Sequence, residues 1–115
     1  MSTFRTFVVE QLSRVLPQVR ARSMFGGVGI YAGPVFFALI ADDTLYFKVD
    51  DSNRADFVSR GMGPFRPYGE EGETMQYYEV PPELLEDAEA LRAWAERARA
   101  AAAAKKAKRP KGKRR

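Results

Sequence analysis

Between Val28 and Val49 the chain carries three strand-forming runs joined by very short connections. Connections that short allow only antiparallel pairing. Val28-Gly29-Ile30-Tyr31-Ala32 ends at Gly33-Pro34. Val35-Phe36-Phe37-Ala38-Leu39-Ile40-Ala41 follows at once and is apolar throughout, as expected of a central strand covered wholly or partly on both faces. Asp42-Asp43 then turns the chain into Thr44-Leu45-Tyr46-Phe47-Lys48-Val49. There Leu45, Phe47 and Val49 alternate with Thr44, Tyr46 and Lys48, the period of a half-buried strand. A meander of this kind needs cover, which the flanking segments must supply as helices.

Phe4, Phe7, Val8, Leu12, Val15 and Leu16 recur at helical spacing. Ser2 or Thr3 serves as N-cap, and Pro17 predicts a stop near Val15. Ala55, Phe57 and Val58 mark a short helix capped by Asp50, Asp51 or Ser52 and ended by Gly61. Segments 65–68 and 74–80 predict a second hairpin around the acidic loop 69–73. Pro81-Pro82 opens a last helix with a buried stripe of Leu84, Leu85, Ala88, Leu91, Trp94, Ala95 and Ala98. Its start is acidic (Glu83, Glu86, Asp87, Glu89) and its later turns are basic (Arg92, Arg97, Arg99), which suits the helix dipole. The order α-β-β-β-α-β-β-α predicts an α+β domain over residues 1–104, an antiparallel sheet packed by helices.

The formal net charge of +4 hides two opposite regions. Residues 1–104 hold eleven basic and fifteen acidic residues. Residues 105–115 hold eight basic residues and no acidic one: Lys105, Lys106, Lys108, Arg109, Lys111, Lys113, Arg114 and Arg115. That segment has no apolar side chain larger than Ala, so ordering it costs entropy with no burial in return, and it is expected to be disordered. Ala100 to Ala104 are expected to extend the helix while burying little, and Pro110 and Gly112 oppose its continuation. The eight cations predict sequence-nonspecific, salt-dependent affinity for DNA or RNA phosphates. A solubilising tail is the alternative reading of the same composition.

Several chemistries are excluded by residue type. The chain has no Cys and no His, so it has no disulfide, no thiolate, no Ser-His-Asp or Cys-His apparatus and none of the common zinc sites. Carboxylates remain. Asp42 and Asp43, or Asp50 and Asp51, could form a divalent-cation site or an acid/base pair, but both pairs sit where turns and caps favour Asp. No cofactor is implied. The longest apolar run has seven residues, far short of the ~18–20 that span a bilayer, and no signal peptide is visible, so no membrane role is implied and a cytoplasmic location is expected.

Arg22-Ser23-Met24-Phe25-Gly26-Gly27 is the most unusual stretch. Its glycines invite comparison with a phosphate loop. Such a loop follows a strand and opens a helix, however, whereas this one is placed after a helix and before a strand. It is therefore expected to be structural, with Met24 and Phe25 plugging the core and Gly26 and Gly27 taking conformations that side chains resist. The aromatic residues Tyr31, Phe36, Phe37, Tyr46, Phe47, Tyr77 and Tyr78 are expected mainly in the core. Lys48 is the one basic neighbour among them on a predicted strand.

Taken with Val28-Gly29-Ile30-Tyr31, Phe37 to Asp43, Leu45 to Asp50, Pro64-Phe65, Tyr77 to Pro81 and Trp94-Ala95, this stretch resembles the N-terminal domain of the TfoX/Sxy proteins, regulators of competence for DNA transformation. The resemblance covers most of the chain and implies an α+β domain without enzymatic activity or catalytic residues. It also implies a protein partner, on the pattern of family members that act with the cyclic-AMP receptor protein at competence promoters. Full-length members carry a second, helical domain. This chain has the basic tail instead and is expected to be a single-domain member. A regulatory protein-interaction module with a nucleic-acid-binding tail is thus the first expectation. A chaperone-like homodimeric module and a carboxylate or cation enzyme are the alternatives.

Overall fold

The computed structural model describes residues 3–24, 27–65 and 76–112, with backbone only for 105–112. The chain begins with helix α1 (Thr3–Val15), then forms strands β1 (Val19–Met24), β2 (Gly27–Ala32), β3 (Val35–Ala41) and β4 (Thr44–Lys48). Helix α2 (Arg54–Val58), strand β5 (Tyr77–Glu79), a 3₁₀ helix (Pro82–Glu86) and helix α3 (Ala88–Gly112) complete it. The five strands form one antiparallel sheet in sequence order, β1-β2-β3-β4-β5. The α+β class and the antiparallel sheet are as the sequence predicts.

The apolar run of β3 does occupy the centre, and Phe37, Ala38, Leu39 and Ile40 are all buried. The register between β2 and β3 slips at Ile30/Tyr31, where Tyr31 faces Phe36 but Ile30 faces Ala38. Phe37 is the extra residue of a β-bulge, so Phe37 and Ala38 both enter the core. Ile30, Ala32, Leu45, Phe47 and Val49 line the same face. Val8 and Leu12 of α1, Leu84 and Leu85 of the 3₁₀ helix, and Leu91, Ala95 and Ala98 of α3 pack onto it. Gln11 ties two of these covers together, its amide donating to the Leu85 carbonyl at 2.6 Å.

Several details depart from the sequence reading. Val19–Met24 is a strand that the sequence did not reveal. Of the second hairpin, β5 is described, and an isolated bridge joins Pro64 to Tyr78. The loop 69–73 and most of the predicted partner strand lie outside the described residues. The last helix does not start at Pro82. A 3₁₀ turn comes first, Asp87 is extended, and its carboxylate accepts from the Ala90 N–H to start α3. Ala88, at the new helix start, is exposed rather than part of the stripe, whereas Ala101 is buried. The backbone stays helical to Gly112, beyond the predicted end near Ala104. Ala, Lys and Arg are strong helix formers and adding a residue to a formed helix is far easier than starting one, which suits the extension as far as Arg109; Pro110 and Gly112 continue it against their own propensities.

The N-cap position of α2 is Asn53, one residue later than predicted, and its side chain makes no capping bond to the helix. Asn53 is 2% exposed and bridges α2 to the end of β4, donating to the Lys48 carbonyl at 3.1 Å and accepting from the Asp50 N–H at 2.8 Å. Phe57 then locks α2 in place, with its ring 4.7 Å from Trp94, edge-on, and 6.0 Å from Tyr78. The chain leaves α2 through Gly61 at φ 78°, the ending its glycine predicts.

Candidate interaction face and edge

Strand alternation sends half of the sheet's side chains away from the core. The pairings place Arg20, Arg22 and Met24 of β1, Tyr31 of β2, Phe36 and Leu39 of β3, Tyr46 and Lys48 of β4, and Tyr77 and Glu79 of β5 on this second face. None of the described helices packs there; α1, α3 and the 3₁₀ helix all meet the opposite side. The rings form a ladder. Tyr31 stacks on Phe36 at 5.2 Å, and Phe36 lies 5.7 Å from Tyr77. A cation stands at each end, Arg20 at 4.9 Å from the Tyr31 centroid and Lys48 at 5.3 Å from that of Tyr77. Phe65 packs on Tyr46 at 4.8 Å on the same side.

Glycines shape this face. An added Cβ at Gly29 would meet the Met24 methyl and the Phe36 ring. Its absence therefore lets both side chains fold across β2. At Gly27 the added Cβ would strike the Ile40 carbonyl oxygen. The Arg22–Gly27 motif is thus part of a hairpin. Arg22, Ser23 and Met24 end β1, and Met24 pairs with Gly27, the first residue of β2. Phe25 and Gly26 lie outside the described residues. The expected core plug is corrected for Met24, which is 40% exposed on the aromatic face. The expected position after a helix is corrected as well, because β1 intervenes. The aromatic prediction divides: Phe37 and Phe47 are core and Tyr78 packs against it, whereas Tyr31, Phe36, Tyr46 and Tyr77 belong to the second face.

Burial raises the pKa of two phenols. Tyr77 is pushed up to about 12, chiefly by its removal from water. Tyr46 is raised by burial and then by the negative charges of Glu79 and Asp42.

The candidate carboxylates are not brought together. Asp42 and Asp43 form the β3–β4 turn, both with positive φ, while Asp50 and Asp51 lie beyond the other end of β4. Asp50 accepts from the Ser52 N–H at 2.9 Å and from its hydroxyl, which lowers its pKa. Asp51 pairs with Arg54. Among the described residues no group of three or more Asp or Glu could hold a metal ion. Of the tail cations, Lys105, Lys106, Lys108, Arg109 and Lys111 lie on the α3 backbone without described side chains. Lys113, Arg114 and Arg115 lie outside the described residues. No helix among the described residues is long and apolar enough to cross a membrane.

The two edges of the sheet differ. The outer side of β5 is bridged by the preceding chain, with the Phe65 N–H donating to the Tyr77 carbonyl at 2.7 Å and the Glu79 N–H to the Gly63 carbonyl at 3.0 Å. No described strand pairs with the outer side of β1. Beside its start lies an open depression of about 530 Å³, lined by Gln18, Val19, Arg20, Gly33 and Pro34. Sequence reasoning missed this edge because Val-Arg-Ala-Arg-Ser-Met alternates only small or modest apolar residues with charge.

The model of the TfoX N-terminal domain matches residues 10–102, from within α1 to within α3. The chain belongs to the TfoX N-terminal domain family. The match takes in every strand of the sheet, both of its edges and the aromatic face. Curated proteins offer no match.

Proposed function

We propose that this TfoX N-terminal domain is a non-enzymatic regulatory module in competence and transcription, acting through a protein partner such as a transcription regulator. The family match over residues 10–102 carries the reading, since the family is linked to competence regulation. The residue types agree with it, because without His or Cys the usual nucleophile-base pairs have no members. The tail adds a second, electrostatic function. Its eight cations give the whole chain nonspecific affinity for DNA or RNA, while the body makes the contact with the protein partner.

Two measurements test this. Raising the level of the chain in its own host should shift transcript levels of DNA-uptake genes, and an unchanged profile refutes the regulatory role. Fluorescence titration of duplex DNA should give an affinity that falls with log salt, at a slope of up to about −7 if all eight cations neutralise phosphates. Replacing the eight tail cations by Gln should abolish that slope; affinity that survives the replacement refutes the tail's part.

A further inference from the structure

We infer that the outer edge of β1 is a docking site for an extended acidic peptide, which joins the sheet as a sixth strand. The inference rests on the protein-partner reading above and names the chemistry of that partner.

The backbone supplies the register. The Gly33 N–H donates to the Gln18 carbonyl at 2.9 Å, so Gln18 and Gly33 form a hydrogen-bonded pair of the β1–β2 ladder. Alternation then directs the backbone N–H and C=O groups of Arg20, Arg22 and Met24 toward β2 and leaves those of Val19, Ala21 and Ser23 pointing outward. These groups match the spacing of an added strand, which gains affinity from main-chain bonds and specificity from its alternate side chains. The opposite edge cannot serve in this way, because the chain at Gly63–Phe65 already bridges it.

The side chains select the occupant. Arg20 and Arg22 are both exposed and both project onto the aromatic face, two residues apart. A paired strand with acidic residues at alternate positions puts a carboxylate beside each. The same two arginines disfavour a second copy, since antiparallel β1–β1 pairing sets Arg against Arg. Edge charges are a common device against unwanted strand pairing, and here the device is sign-selective: it repels cationic and identical strands and admits acidic ones. The depression beside Gln18, Arg20 and Pro34 lies where the peptide would pass the start of β1 and can take one of its side chains.

The test uses the full chain and a fluorescent, end-blocked peptide of alternating Thr and Glu, with an alternating Thr-Lys peptide as control. Anisotropy should show the Glu peptide binding at least about tenfold more tightly, a difference of about 1.4 kcal/mol. Arg22→Glu should cost it about tenfold, while Arg92→Glu on α3 should not. Methylating the peptide amides on one edge should abolish binding, whereas methylating the other edge should leave it intact. At saturation, hydrogen exchange at the Ala21 and Ser23 amides should slow. Equal binding of the two peptides, or unchanged exchange at those amides, overturns the inference. So does a peptide-free dimer in which the same amides are already protected, which would assign the edge to a second copy. If the peptide fails while raised levels of the chain still shift transcripts, the docking inference falls and the regulatory reading stands. If peptide binds and transcripts do not move, the reverse holds.

Discussion

The two faces of the sheet use the same kinds of residue to opposite ends. On one, Phe37 and Phe47 meet at 5.8 Å beneath α1 and α3, and their worth is burial. On the other, Tyr31, Phe36 and Tyr77 form a ladder with cations at its ends, and no described helix covers them. Adjacent residues, Phe36 and Phe37, are divided between the two. Aromatic content alone therefore says little about role. What counts is which side of the pleat a ring occupies, and in β3 a single bulge decides that.

The largest expected effect separates those neighbours directly. Phe37→Ala should cost about 3–5 kcal/mol in urea unfolding, because it leaves a cavity under the helices. Phe36→Ala should cost about 1–2 kcal/mol. Equal losses would break the distinction between the faces.

Tyr77 sharpens it, since this residue is on the second face yet only 8% exposed. Its folded pKa is raised from 10.0 to about 12, so the fold favours the protonated phenol. The sign follows from linkage: that stabilisation is complete below pH 10 and is lost as pH rises through about 12. The loss should be about 3 kcal/mol, absent in Tyr77→Phe, and visible as alkaline unfolding together with late phenolate absorbance.

Next come the two glycines. Gly27→Ala drives a methyl into the Ile40 carbonyl, which is backbone and cannot step aside, and should cost about 1–3 kcal/mol. Gly29→Ala meets the flexible end of Met24 and the edge of Phe36, and should cost less than about 1 kcal/mol. Both glycines lie on the second face, so thermal melts of the pair would show whether that face yields where a side chain is in the way but not where backbone is. The smallest effect belongs to a surface tie. Arg97 and Asp56 pair at 2.5 Å between α3 and α2, both partly exposed, and Asp56→Asn should change stability by about 0–1 kcal/mol, less at high salt.

Much of this architecture is legible in the chain. The alternation of Leu45, Phe47 and Val49 against Thr44, Tyr46 and Lys48 marks both faces of β4. The spacing from Phe4 to Leu16 marks α1, and Pro17 its end. The β1 strand was not legible, since no residue between Val19 and Met24 is both strongly apolar and buried, and an edge strand draws its stability from β2. The basic groups of the candidate site vanished with it, for Arg20 and Arg22 become neighbours of Tyr31 only through that pairing.

Sequence alone determined the fold class, the central position of 35–41 and the opposed charges of body and tail, because short turns, apolar runs and charge are local properties of a chain. Only the tertiary structure decided which aromatic rings left the core, which edge of the sheet stayed open and which cations stood beside it. Those outcomes depend on strand register, and register is settled between segments distant in sequence, where one residue's slip reverses the face a side chain takes.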